Sequence, residues 1–214
     1  MRRSLSVLAG AELPVAVCDR VVSTSFARFL EHLPGFAVAP AFEPGLVPQV
    51  KTSLAIAADL GRPFVLYTEP DKEIFFRTGL QDFLQRAPAD DDVGIVIAAR
   101  SDAAFATFPP VQRYTEGVIN HLTGEALGVP GDYSYGPFLV HAALVPAILK
   151  LDTRLGWGWR HAAFLTAHRH GRRVVHLSGE YPCPPEQREE DAAERVHRLR
   201  QLSQNILGLT DAPG

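Results

Sequence analysis

The sequence predicts a single α/β domain, Rossmann-like in organisation, whose central sheet is mainly parallel. Uninterrupted apolar runs, of which residues 93–99 are the most continuous, alternate with segments whose apolar residues recur at helical spacing. Apolar runs without polar alternation are typical of strands that helices cover on both faces, which is the environment of parallel sheets. The chain contains no internal repeat and no linker, so residues 1–214 are interpreted as one domain.

Glycine and proline residues divide the chain into its predicted elements. The predicted strands cover residues 13–18, 36–39, 64–68, 93–99, 138–140 and 173–177. The predicted helices cover residues 26–33, 47–58, 74–84, 111–122, 142–151, 156–170 and 186–207. A loop rich in glycine and aromatic residues fills positions 124–136. Loops of this length within a compact domain are more often functional than accidental.

Composition excludes several classes of protein. The chain has a formal net charge of -3 and 46% hydrophobic residues, which argues against the basic face of a nucleic-acid-binding protein. No apolar run reaches the roughly 18 to 20 residues of a membrane span, and the short apolar segment 5–9 is too weak for a signal peptide. Cys18 and Cys183 have no metal or redox spacing and are interpreted as free thiols. These features predict a cytoplasmic protein.

The most informative motif is Glu69-Pro70-Asp71, which follows the strand at 64–68 and precedes Lys72. Open α/β sheets bind their ligands at the carboxyl ends of strands, and Pro70 is a stiff spacer between the two carboxylates. Two carboxylates held in this way suit a hard divalent cation, Mg²⁺ or Mn²⁺, which takes oxygen ligands and shares its shell with phosphates. The alternative is that Asp71 only caps the helix that follows.

The order of these features resembles the type-A fold of nucleotide-sugar glycosyltransferases, with Glu69-Pro70-Asp71 at the position of the family's DxD motif. The resemblance is strongest to the retaining synthases of the mannosylglycerate and glucosyl-phosphoglycerate type. These enzymes also have a lysine-bearing helix before the metal strand, a glycine-containing acceptor loop and a Trp-Gly motif that opens a later helix. The match spans roughly residues 19–181 and implies a nucleotide-binding half at 13–100, an acceptor half at 101–181 and a C-terminal helix at 186–207.

The resemblance implies roles for particular residues. Asp71 and Asp132 would be catalytic, and Asp71 and His176 would hold the divalent metal. The predicted substrate-binding residues are Asp19, Lys51, Glu69, Lys72, Arg100, Arg113, Tyr133, Tyr135, Gly136 and Trp157. Purely structural interpretations stay open for several of them: His176 as a core histidine, Asp19 as a turn residue, Lys51 as a solvated helix position, and the arginines as surface residues.

The implied reaction is the metal-dependent transfer of a sugar from a UDP- or GDP-sugar to a small or lipid-linked hydroxyl acceptor. The sequence departs from the family at Glu69, where the motif has Asp, and it is expected to begin near the family's second strand. Part of the donor pocket would then be absent or come from a second subunit in a homodimer. One alternative is a non-catalytic binding module with this fold. A nucleotidyltransferase is less favoured, because no Gly-rich basic loop follows the first strand.

Overall fold

The computed structural model describes residues 1–19, 24–41 and 43–211. Its strands are β1 (Val15–Asp19), β2 (Phe36–Pro40), β3 (Phe64–Tyr67), β4 (Val93–Arg100), β5 (Phe138–His141) and β6 (Arg173–Gly179). Its α-helices are α1 (Arg2–Ala9), α2 (Thr24–Glu31), α3 (Leu46–Ala58), α4 (Leu80–Arg86), α5 (Asp102–Ala106), α6 (Pro110–Leu127), α7 (Val145–Ile148), α8 (Trp159–Arg169) and α9 (Ala192–Thr210). A π-helical turn, Phe75–Gly79, leads into α4, and a 3₁₀ segment, Thr153–Gly158, leads into α8.

The larger sheet has four strands in the order β3-β5-β4-β6, and β1 pairs with β2 in a separate two-stranded parallel sheet. Strands β3, β4 and β6 run in the same direction, whereas β5 is antiparallel to both of its neighbours. The direction of β5 follows from its connection, because the chain leaves β4 and returns to β5 at the same edge of the sheet. The predicted α/β class is confirmed. The reversed strand β5, which the apolar pattern does not reveal, makes two of the three strand pairings in this sheet antiparallel.

Both faces of the larger sheet are covered, as the unbroken apolar strands predict. Tyr67, Phe138, Ile97 and His176 are register partners across the four strands and share one face. That face belongs to a core that includes the buried side chain of Trp159. The opposite face packs against a second core that includes aromatic side chains of the π-helical turn and α4.

Several helical segments differ from the predicted boundaries: α9 begins at Ala192, six residues later than predicted, and the predicted helix 142–151 is α-helical only at Val145–Ile148. Helix α1 occupies a segment for which no element was predicted, and it packs against the π-helical turn. Helix α5 is a second element without a predicted counterpart, and α6 continues to Leu127, inside the predicted loop 124–136. Among the described residues, no helix has both the length and the apolar character that crossing a membrane requires.

Helix α9 crosses the start of α8 at an unusually close approach between two glycines. A Cβ added to Gly208 of α9 would overlap the carbonyl oxygen of Gly158, and one added to Gly158 would overlap backbone atoms of α9. Gln204, one turn before Gly208, accepts a hydrogen bond from the backbone N–H of Trp157 at 3.1 Å. The C-terminal helix therefore fixes the position at which α8 begins.

Replacing Gly208 by Ala should destabilise the protein by about 1–3 kcal/mol, because the added methyl group would push the backbone of α9 away from that of Gly158 in a packed interior. Gly117 offers a matched control, since it lies inside α6 and no neighbouring atom of the described residues lies within 4 Å of the place that a Cβ would occupy. Gly117→Ala should stabilise the protein by about 0.5–1 kcal/mol through helix propensity. Urea unfolding of both variants measures the difference, and equal stabilisation by both substitutions would contradict the close approach of α8 and α9.

Candidate active site

The polar side chains of interest meet at one edge of the larger sheet. The carboxyl ends of β3, β4 and β6 lie at this edge, and so does the first residue of the reversed strand β5. The segment 68–72 leaves β3 there, and the loop 128–137 arrives there to begin β5. Ligands of open α/β sheets bind at such an edge.

Glu69 forms a buried ion pair with Arg160, the second residue of α8. Its Oε1 accepts a hydrogen bond from Arg160 Nη1 at 3.1 Å, and the two side chains are 11% and 4% exposed. The other oxygen, Oε2, is buried without a hydrogen-bond partner among the described residues. It packs against Gly136, whose φ of 128° and missing Cβ leave room for the carboxylate. The Arg160 guanidinium also lies over the Trp157 ring, 5.3 Å from its centroid.

Asp71 differs from its neighbour because its side chain is 51% exposed. Its Oδ1 lies 3.8 Å from Lys72 Nζ, and that ammonium group lies 5.2 Å from the centroid of the Tyr135 ring. Tyr135 in turn stacks on Tyr181 with a centroid separation of 4.9 Å. The π-helical turn that follows has Ile74 at its N-cap without a side-chain cap, so Asp71 does not cap it. Asp71 and Lys72 thus form an accessible pair of opposite charges.

Asp132 is committed to Arg100, the last residue of β4. Arg100 Nε and Nη2 donate to the two oxygens of Asp132 at 2.7 and 2.9 Å, and the Arg100 backbone N–H donates at 3.0 Å. A second carboxylate, Glu116 of α6, lies 2.7 Å from Arg100 Nη2. Burial alone would raise the pKa of Asp132, but the Arg100 charge and these hydrogen bonds outweigh it and lower that pKa. Desolvation would lower the pKa of Arg100, and its two carboxylate partners raise it instead.

The same cluster orders the loop that precedes β5. Asn120 of α6 donates to Asp132 Oδ1 at 3.0 Å, and its own oxygen accepts from Tyr133 N and Ser134 Oγ, both at 2.8 Å. The Tyr133 hydroxyl donates to the carbonyl oxygen of Val129, and burial raises the pKa of Tyr133 to about 12. Asp132 and Tyr133 therefore contribute to the loop's internal structure, rather than presenting free polar groups to a ligand.

His176 lies inside β6, with its ring 4.5 Å from that of Tyr133 and packed against Gly131. Burial lowers its pKa, an effect that Asp132 opposes, and its Nε2 has no hydrogen-bond partner among the described residues. His176 lies on β6 and Asp71 follows β3, and these are the two outermost strands of the four-stranded sheet. Coordination of one metal by both residues stays a prediction.

Three other predicted substrate-binding residues lie outside this cluster of contacts. Asp19 ends β1 in the two-stranded sheet. Lys51 on α3 donates to the carbonyl oxygen of Leu151 at 2.5 Å, which engages its ammonium group. Arg113 lies on α6, in a shallow cleft of about 280 Å³ whose other lining residues are Asp102, Phe105, Ala106 and Tyr114.

Sequence reasoning missed Arg160, Glu116 and Asn120. The available signal was weak: Arg160 stands in a helix whose neighbouring residues are largely apolar, where a charged residue needs a buried partner. Glu116 and Asn120 look like ordinary polar positions of a surface helix in the sequence. In the part of the chain that the structure describes, no three His, Cys, Asp or Glu side chains converge as a metal cage.

The fold matches that of solved glycosyltransferase structures, in agreement with the predicted resemblance to the type-A fold. Similar solved structures include glucosyl-3-phosphoglycerate synthase from Mycobacterium tuberculosis in complex with phosphoglyceric acid, at 15% identity and a TM-score of 0.64 over 99% of this chain and 76% of that chain. The complex of the same enzyme with uridine diphosphate gives 13% identity and a TM-score of 0.63 over 100% and 78%. A crystal structure of a mycobacterial protein gives 16% and 0.62 over 99% and 71%. No protein-family model and no curated protein sequence matches the chain.

Replacing Asp132 by Ala should destabilise the protein by about 3–5 kcal/mol, because it leaves the buried Arg100 charge without its bidentate partner. Asp82→Ala is the matched control, since Asp82 pairs with Arg86 at the surface, 2.8 Å away, where such pairs contribute about 0–1 kcal/mol. Chemical denaturation of both variants at neutral pH measures the two losses. Equal, small losses would show that the Arg100–Asp132 pair is not needed for the fold.

The same pair should make stability depend on pH in the acid range. Because the pKa of Asp132 is lower in the folded state than its ordinary value of 3.8, the unfolded chain binds the proton more readily. The stabilisation is therefore complete above about pH 5 and is lost as the pH falls through 3.8 and below. The difference in unfolding free energy between the wild type and Asp132→Ala should shrink over this interval. A difference that stays constant from pH 6 to pH 3 would contradict the lowered pKa.

Proposed function

We propose that this chain is a metal-dependent glycosyltransferase that moves a sugar from a nucleoside diphosphate to a hydroxyl acceptor. The proposal rests on the exposure of the Asp71 side chain, which lies where the carboxyl ends of the parallel strands meet. Its side chain is 51% exposed, whereas those of Glu69, Asp132 and Glu116 at the same edge are 10–11% exposed and lie beside buried arginines. Asp71 is thus the carboxylate of this set that a ligand reaches.

The residues at this position fit a hard divalent cation. Mg²⁺ and similar ions are commonly held by one or two carboxylates, with water and substrate phosphates completing the shell. Asp71 supplies one such carboxylate, so a nucleoside diphosphate would have to supply further oxygen ligands. The synthase structures that contain Mn²⁺ together with UDP-glucose support this assignment. A bound cation would neutralise the charge that develops on the departing diphosphate.

Lys72, Tyr135 and Trp157 complete the proposed site. The Lys72 side chain is 22% exposed and its ammonium group rests over Tyr135, from where it can contact phosphate oxygens as a point charge. Trp157, packed on one side by Arg160, offers an aromatic ring beside the sugar. Within this proposal, Asp132 and Arg100 order the acceptor loop, and Asp132 takes no proton during transfer because both its oxygens are engaged.

The donor and acceptor are proposed from the same comparison. Structures of the M. tuberculosis synthase contain UDP-glucose with glycerol 3-phosphate and, separately, phosphoglyceric acid. A UDP-sugar and a small anionic molecule with a free hydroxyl are therefore the first pair to test. Of the two arginines predicted to bind the acceptor, Arg100 is engaged by Asp132 and Glu116, so Arg113, in its cleft beside α5, is the candidate for an acceptor carboxylate or phosphate.

Thermal unfolding tests the donor site directly. UDP-glucose with Mn²⁺, at about 100 times its Kd, should stabilise the protein by about 2.7 kcal/mol and raise Tm by about 5–10 °C. Asp71→Ala should remove the part of this shift that depends on Mn²⁺ and lower the rate of UDP release by on the order of 100-fold. Asp59→Ala is the control, because Asp59 is an exposed carboxylate that follows α3, before the opposite end of β3.

The outcomes separate the candidate functions. If no UDP- or GDP-sugar shifts Tm with Mn²⁺ present, the transferase proposal fails. If the shift occurs and depends on Asp71, but no acceptor hydroxyl produces UDP release, the chain is a nucleotide-binding module that has kept the fold. Equal loss in Asp71→Ala and Asp59→Ala would show that the donor site does not depend on Asp71.

A further inference from the structure

We propose that Arg160 is a positioning residue that holds Glu69 out of the metal site. Asp71 is then the one carboxylate of the Glu69-Pro70-Asp71 segment that coordinates the cation. The inference rests on the proposed function and deepens it, because it assigns different tasks to two carboxylates that the motif presents as a pair. It also gives Arg160, which no motif marks, a defined effect on metal affinity.

Both oxygens of Glu69 are withdrawn from solvent, each by a different neighbour. Oε1 is engaged by Arg160 Nη1 at 3.1 Å. Oε2 is buried, and the backbone of Gly136 fills the space next to it so closely that even a methyl group there would overlap the carboxylate. A hydrated divalent cation therefore has no access to either oxygen unless the carboxylate turns away from Arg160.

Such a turn would be costly, because Arg160 is itself fixed. Its side chain is 4% exposed and rests on the Trp157 ring. The backbone before it is held by the hydrogen bond from Trp157 to Gln204 and by the close approach of Gly158 to Gly208. Moving Glu69 towards a metal would leave a buried guanidinium without a counter-charge, which is strongly unfavourable.

Asp71 has no comparable restraint. Its ion-pair partner among the described residues is Lys72, 3.8 Å away, and the Asp71 carboxylate itself is half exposed, so the pair contributes little. Its carboxylate can exchange Lys72 for a metal without uncovering a buried charge. The identity of residue 69 fits this division, because the additional methylene of Glu over Asp extends the carboxylate towards α8 and Arg160.

The first arm of the test needs no ligand. Glu69→Gln and Arg160→Met each leave one buried charge unpaired and should raise the equilibrium constant for unfolding by on the order of 100-fold or more. The double variant removes both charges with similar side-chain volumes and should raise it by less than about 10-fold. Effects that simply multiply in the double variant would overturn the claim that Arg160 holds Glu69.

The second arm measures Mn²⁺ affinity in the presence of UDP, with free Mn²⁺ followed by electron paramagnetic resonance. The Glu69→Gln/Arg160→Met double variant should bind Mn²⁺ within about 3-fold of the wild type, whereas Asp71→Asn should weaken binding at least 10-fold, as expected for loss of a direct carboxylate ligand. If the double variant loses as much affinity as Asp71→Asn, Glu69 is a ligand and the proposal is overturned.

Arg160→Met alone supplies a readout that a purely structural role would not move. Releasing Glu69 beside Asp71 should raise Mn²⁺ affinity several-fold above the wild type, and the added Glu69→Gln change should cancel that gain. Unchanged affinity in a folded Arg160→Met protein would contradict the positioning role; if that variant does not fold, the double variant decides. A wild type without Mn²⁺-dependent UDP binding would instead refute the proposed function, while the ligand-free arm would still decide the Glu69–Arg160 pair.

Discussion

The buried ion pair between Arg100 and Asp132 is the interaction on which the arrangement of the candidate active site depends. It joins the end of β4 to the loop that delivers β5, across 32 residues of sequence, and Glu116 brings α6 to the same guanidinium. Because an unpaired charge in this position would be costly, the three elements are held in one arrangement. The reversed strand β5, which lies between β3 and β4, begins from a loop whose path this arrangement determines.

The Glu69–Arg160 ion pair holds two other elements of the candidate active site together. It joins the end of β3 to the start of α8 over 91 residues, and α9 supports α8 from behind through the approach of Gly158 to Gly208. Neutralising Glu69 and Asp132 in this way leaves Asp71 beside Lys72 as an accessible charged pair. In the proposed transferase, the two buried ion pairs therefore stabilise the site, whereas Asp71 and Lys72 contact the metal-bound diphosphate.

The boundaries of the strands and of most helices were predictable because apolar runs, glycines and prolines act locally. The direction of β5 was not predictable, since the three apolar residues at 138–140 pair equally well with neighbours of either direction. Arg160 and Asn120 were missed for a related reason: their importance lies in partners that are distant in sequence, and nothing in the adjacent residues marks a buried polar contact.

The sequence by itself determined the α/β class, the position of Glu69-Pro70-Asp71 at a strand end and the resemblance to type-A glycosyltransferases, because each depends on residue order. Only the tertiary structure decided which polar residues are paired and which are accessible. Asp132 and Asp71 look alike in sequence, yet one is enclosed by Arg100 and the other faces solvent. The physical reason is that burial and ion pairing depend on contacts between distant segments, whereas a motif records only neighbours along the chain.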